Sequence, residues 1–179
     1  SSDLEHSIAY DTDESLSTEE SLVLPSEDDV KIAHRGTKIQ RHQDLTTDAA
    51  IAVGVESHHP EFKNSEEQLR LVTEKFGAPS ELVGFSLGAS KAITLGSKHS
   101  IHTTTFNPFI GKNLIQSSRT GDEVHSIIRT TEDPVSLGIG LAKSKKNWRV
   151  ESILPHHDRV NPNEAHELHN FTEIGRAHV

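Results

Sequence analysis

Cysteine and methionine are both absent from these 179 residues, and aromatic side chains make up only 4% of them. Without cysteine there is no disulfide, and the redox compartment leaves no trace in the chain. Without methionine at position 1, the chain reads as trimmed at its start or as a piece released from something longer. No apolar run approaches the roughly 18 residues of a membrane span, and the first thirty residues lack the basic-then-apolar order of a signal peptide. The expectation is a soluble chain whose compartment stays open, a virus particle or secretion after processing included. A basic surplus is missing as well. The formal net charge is -9, but residues 1–29 hold ten Asp or Glu and no Lys or Arg, which leaves 18 basic against 17 acidic residues from Val30 onward. Nucleic acid needs a concentrated positive patch, and nothing in the composition argues for it as a partner.

The length fits one domain with a real core. Composition divides it into an acidic extension, 1–29, and a folded domain, 30–179. What the extension offers for burial, Leu4, Ile8, Tyr10 and Leu22 to Leu24 among it, is too little to offset its ordering entropy. It is expected to be flexible or draped over the domain, with Leu22 to Leu24 the part to be pinned.

From Asp29 the chain alternates strand and helix signals. Val30, Ile32 and His34 alternate with Lys31 and Ala33 as in a strand, which leaves through Arg35-Gly36-Thr37. Thr47 to Gly54 favours a short helix over a strand, and Val55 to Asn64 reads as a polar loop. Asn64 or Ser65 caps a helix with Glu66 and Glu67 in its first turn and an apolar face of Leu69, Val72 and Phe76. Strands are expected at Leu82 to Phe85, Ile101 to Phe106, Val124 to Arg129 and Trp148 to Leu154, with a helix to about His99. A C-terminal helix capped by Asn161 or Asn163 holds Ala165, Leu168 and Phe171. This alternation predicts an α/β fold, a mainly parallel sheet with helices on both faces.

One stretch carries chemistry. Gly84-Phe85-Ser86-Leu87-Gly88 is a G-x-S-x-G between a strand and a helix, the setting in which that pattern holds a nucleophilic serine. A serine on so sharp a turn needs neighbours two positions away without a Cβ, and Gly84 and Gly88 supply them. The backbone N–H of Leu87, at the start of the helix, is then aimed where a tetrahedral oxyanion would form. Two more loops at the carboxyl ends of strands supply what acyl transfer requires. Asp133, before Pro134, can orient an imidazole and stabilise it when protonated. Thr37, after the first strand, can give a second oxyanion donor. The imidazole has four candidates by position: His156, His157, His166 and His169. The order Ser, Asp, His is that of α/β-hydrolases.

Ile32-Ala-His-Arg35-Gly36-Thr37, Thr47-Asp48, Val83-Gly84-Phe85-Ser86-Leu87-Gly88-Ala89-Ser90, Thr105-Phe106-Asn107-Pro108 and Ile128-Arg129-Thr-Thr-Glu-Asp133-Pro134-Val135 follow one another as landmarks do in the class 3 lipase-like family. The resemblance runs from about Val30 to Phe171. It implies an α/β-hydrolase fold and action on carboxylic esters of lipids. His166-Glu-Leu168-His169-Asn170-Phe171 resembles the ending of compact members, including those encoded by viruses and microbes, which makes His166 the base and leaves His169, on the same helical face, as its rival. Two positions depart: Phe85 stands where the family has a histidine before the nucleophile, and Ala89 replaces its second glycine after it.

The function expected is therefore a serine ester hydrolase with Ser86, Asp133 and His166 as triad and Thr37 and Leu87 as oxyanion hole. Its partners would be a lipid or small ester and, transiently, a membrane surface, with no cofactor. Phe109 to Ile115 and Leu137 to Leu141 could line an acyl groove or belong to the core. The polar Val55 to Asn64 makes a poor lid, which points to an esterase or phospholipase. The alternative is a catalytically inactive hydrolase-like module of a larger assembly such as a virus particle. Thirteen histidines raise zinc binding at His58-His59, His156-His157-Asp158 or His166/His169, but no spacing matches a metal motif and none is assigned.

Overall fold

In the computed structural model, which describes residues 11–36, 60–109, 114, 121–131 and 146–154, the alternating stretches become the strands of one sheet. In chain order the elements are β1 (Ser21–Pro25), β2 (Val30–His34), α1 (Pro60–Phe76), β3 (Glu81–Phe85), α2 (Leu87–His99), β4 (His102–Phe106), β5 (His125–Thr130) and β6 (Trp148–Ile153). The spatial order is the same as the chain order. β1 runs antiparallel to β2, and every later neighbour is parallel.

Register explains which residues are buried. Val23, Ile32, Leu82, Thr103, His125 and Trp148 stand side by side across all six strands, and each is at most 6% exposed. The row on the opposite face, Leu22, Ala33, Val83, Thr104, Ser126 and Arg149, is half-buried or exposed throughout. A parallel sheet that grows steadily in one direction through right-handed crossovers places successive helices on the same side. α1 and α2 accordingly pack on the first face: Leu69 and Val72 from α1 and Ala92 and Leu95 from α2 join Val23, Val30, Ile32, Leu82 and Ile101 in one cluster. Among the described residues no helix covers the second face.

Two boundaries and one exposed side chain differ from the sequence reading. α1 starts at Pro60, ahead of Asn64 and Ser65; proline is tolerated in a first turn because its missing N–H has no helical partner there anyway. Phe76, read as part of the apolar face, is 39% exposed, and the ammonium of Lys75 lies 5.0 Å from its ring centre. The sheet also begins within the acidic stretch, since β1 lies at Ser21–Pro25. Composition undervalues this segment because polar partners hold it. The Asp13 N–H donates to the Val23 carbonyl at 2.9 Å. Gln68 of α1 donates to the Leu16 carbonyl at 2.8 Å and accepts from the Ser21 hydroxyl at 2.6 Å. Among the described residues no helix is long and apolar enough to cross a membrane.

Candidate active site

Between the end of β3 and the start of α2 stands one residue, Ser86. Its backbone sits at φ 54 and ψ -119, a combination that L-residues avoid because Cβ collides with the neighbouring peptides. The two flanking glycines make this turn possible. A Cβ on Gly84 would lie 2.5 Å from the Ala89 Cα and the Gly88 carbonyl oxygen, and one on Gly88 would lie 2.5 Å from the His34 carbonyl oxygen. Those obstacles are backbone and cannot rotate away.

Hydrogen bonds fix the strained residue. Its N–H donates to the Phe106 carbonyl at 3.0 Å, and its carbonyl accepts from Ala89 at 3.1 Å and Phe109 at 3.4 Å. Serine ahead of a helix ordinarily caps it with its hydroxyl, but Ser86 makes no side-chain capping bond. The residue is 8% exposed. Leu87 opens α2, so its N–H belongs to the first turn, whose amides have no intrahelical partner and favour negative charge.

The loop leaving β2 lies against this turn. A Cβ on Gly36 would stand 3.1 Å from the Ser86 Cβ and 3.2 Å from the Phe85 carbonyl oxygen, so glycine is what lets the loop approach. Behind it the Arg35 N–H donates to the Glu20 carbonyl at 2.7 Å, and the Glu20 carboxylate pairs at 2.8 Å with Lys91 of α2. Lys91 is only 3% exposed. His34 is equally enclosed; burial, with the Lys91 charge added, pulls its pKa down to about 4. Its Nε2 has no hydrogen-bond partner among the described residues.

On the other side of Ser86 the ends of β4 and β5 are joined by Asn107. This residue is fully buried and left-handed at φ 42. Its N–H donates to Ile128 at 2.9 Å. Its side-chain carbonyl accepts the Thr130 N–H at 2.9 Å, and its amide nitrogen donates to the Thr130 hydroxyl at 3.3 Å. β5 is tied onward to β6 through the Thr131 N–H and the Ile153 carbonyl at 2.9 Å.

Of the site residues read from the sequence, Ser86 and Leu87 are placed together at this turn. Thr37, which follows Gly36 directly, Asp133, His166 and His169 lie outside the described residues, as do His58, His59, His156, His157 and Asp158. Leu114, within one of the two proposed acyl-groove segments, is core: it is fully buried with Ile93, Ile127 and Trp148. Among the described residues there is no group of three or more metal-ligating side chains.

The sequence reading passed over a second set of triad-type residues. Ser97 Oγ lies 3.1 Å from His125 Nε2, and Glu123 Oε1 lies 3.6 Å from the same nitrogen. Thr103 Oγ1 holds His125 Nδ1 at 2.8 Å, and Trp148 meets the imidazole edge-on at 5.8 Å. This set sits at the amino ends of β4, β5 and β6, remote from Ser86. His125 and Glu123 are 0% and 2% exposed, so the base and the acid of this set are closed to solvent. Burial is the main influence on His125 and lowers its pKa, with Glu123 opposing. The cluster ties α2 to the sheet. Asn107 and Lys91 were also missed as site-building residues. A polar residue before a proline at a strand end was the visible signal for the first. Nothing in the local pattern marks the second.

No family model matches the chain, and no curated protein matches its sequence. Solved structures do resemble it. An "alpha-beta serine hydrolase homologue" from Coxiella burnetii is 13% identical over 75% of this chain and 88% of its own, with a TM-score of 0.47. A "predicted CIB-like hydrolase" from Thermoplasma acidophilum is 12% identical over 87% and 88%, with a TM-score of 0.53. The esterase domain of a Rhodothermus marinus protein is 13% identical over 74% and 78%, with a TM-score of 0.47. The Thermoplasma likeness is one of fold, and it agrees with the mostly parallel sheet and the sharp turn before α2: the chain has the α/β-hydrolase fold.

Proposed function

We propose that this chain is a serine ester hydrolase acting on carboxylic esters of lipids through an acyl-enzyme. The observation that carries the reading is the backbone of Ser86, held at φ 54 and ψ -119 between β3 and α2. A fold keeps such a conformation only where surrounding structure over-determines it, and that is the habit of functional sites. The turn presents a hydroxyl at the carboxyl edge of a parallel sheet, where α/β folds place their chemistry.

In this reading His166, with His169 as its rival, takes the Ser86 proton as Oγ attacks the ester carbonyl carbon. Asp133 orients the imidazole and stabilises its protonated form. The Leu87 N–H and that of Thr37 hold the oxyanion. The close approach of Gly36 to Ser86 supports the second donor, since Thr37 is the next residue. The imidazolium gives its proton to the departing alkoxide, and water then repeats the sequence on the acyl-enzyme, releasing the acid and restoring Ser86. The lipid-ester substrate rests on the resemblance to class 3 lipases.

The test is labelling of Ser86 by a fluorophosphonate, together with hydrolysis of a short and a long acyl ester by the wild type and by Ser86→Ala. Labelling of Ser86 and a loss of turnover by orders of magnitude in the variant support the proposal. An intact fold with an unlabelled Ser86 would end it in favour of the inactive, assembly-borne module.

A further inference from the structure

We propose that Asn107 is a positioning residue of this site, the joint that fixes the carboxyl end of β5 relative to the nucleophile; the proposal rests on the serine-hydrolase reading. Pairing of β4 with β5 puts Phe106 opposite Ile128. Continued by two residues, the same register would set Pro108, which has no N–H, opposite Thr130. The strand pairing stops at Phe106, and the Asn107 side chain supplies the acceptor that the next N–H of β5 meets. Its backbone turns left-handed at φ 42, a conformation asparagine tolerates better than most residues. Its side-chain carbonyl then accepts the Thr130 N–H at 2.9 Å in place of a main-chain acceptor.

The same turn is attached to the nucleophile on its other side. The carbonyl of Phe106, one residue earlier, accepts the Ser86 N–H at 3.0 Å, and the Phe109 N–H, two residues later, donates to the Ser86 carbonyl at 3.4 Å. The Ser90 hydroxyl of α2 donates to the Phe109 carbonyl. Residues 106–109 thus form a strap across Ser86, and Asn107, with no exposed surface, is the point where the strap grips β5. The carboxylate assigned to the triad, Asp133, follows Thr130 by three residues in the sequence. Whatever moves Thr130 relative to Phe106 therefore moves the start of the acid-bearing segment relative to Ser86.

Asn107 touches neither substrate nor a reacting atom in this scheme, so its effect must travel through the acid. A double-mutant cycle on turnover of a short acyl ester reads this directly. Asn107→Gly keeps the left-handed backbone without strain and removes the side-chain bonds to Thr130. It is expected to lower kcat on the order of 10–100-fold, the range for a small misplacement of catalytic groups, with KM within about 3-fold of wild type. In an Asp133→Asn background the same substitution should lower kcat by less than about 3-fold, because the group it positions is already disabled. Asn107→Asp, which retains the acceptor for the Thr130 N–H, should fall between wild type and the glycine variant, and it carries the same cycle if the glycine variant does not fold. Equal factors in both backgrounds would overturn the proposal and leave Asn107 an ordinary buried residue. If the wild type neither turns over nor takes up fluorophosphonate, the hydrolase reading falls and this proposal with it; a reactive Ser86 with additive factors sinks this proposal alone.

Discussion

Replacing Ser86 should leave a more stable protein with glycine than with alanine. Both substitutions delete the hydroxyl and with it the proposed activity. They differ in the Cβ. At φ 54 and ψ -119 the Cβ of any L-residue is in a region that costs on the order of 1–3 kcal/mol, and alanine keeps that cost. Glycine sheds it but gains freedom in the unfolded chain, which offsets about 0.4–1 kcal/mol. The net preference for Ser86→Gly over Ser86→Ala is about 1 kcal/mol, and up to about 2 kcal/mol where the strain is at the high end. For a chain of this size that corresponds to a Tm about 2–8 °C higher for the glycine variant. Thermal and urea unfolding followed by circular dichroism give the comparison, provided the urea slopes agree between the variants. At most positions in a folded protein alanine is the more stable of the two. Equal or greater stability of Ser86→Ala would therefore show that the turn relaxes when the hydroxyl leaves and that no strain is held there.

Gly84→Ala drives a methyl group to 2.5 Å from the Ala89 Cα, and overpacking against backbone is expected to cost about 1–3 kcal/mol or more; unfolding in urea checks it, and Gly77→Ala, where nothing lies within 4 Å but φ is +90, separates backbone strain from crowding. Stability should fall as the pH drops from about 6.5 to about 4. Buried His34 resists protonation down to about 4, whereas the unfolded chain takes up the proton near 6.5, so acid favours unfolding. The interval is worth roughly 3 kcal/mol, and a His34→Gln variant that still folds should show a flatter pH profile of unfolding free energy across it. Asp13, held down to about 2 chiefly by its hydrogen bond with Lys75, titrates below that window. Glu20→Gln takes away the carboxylate facing the buried Lys91 ammonium at 2.8 Å and should cost about 1–3 kcal/mol; adding Lys91→Met should recover most of it in the same urea assay, and a double variant no better than the single would refute that account.

The α/β class and the nucleophile turn were legible because their causes are local. Alternation at Val30 to His34 and at Trp148 onward records one face turned to core and one away, and that periodicity needs no knowledge of neighbours. Gly84 and Gly88 are required by the backbone of the turn they flank, so the turn announces itself within five residues. What the sequence could not announce is every feature whose partner is distant along the chain. β1 becomes a strand because Val23 meets Ile32 and because Gln68, in a helix far downstream, satisfies Ser21 and Leu16. Lys91 is buried because Glu20 stands on the edge of the sheet to receive it. The decisive case is the pair of serines. Ser97, His125 and Glu123 have the composition of a triad, while Ser86 is described beside none of its proposed triad partners; yet packing seals the first set at the amino edge of the sheet and strains Ser86 at the other. Residue types state which chemistry a chain possesses. Whether an imidazole and a carboxylate meet solvent depends on how strands distant in sequence stack against helices, and the tertiary structure alone decided that His125 and Glu123 do not.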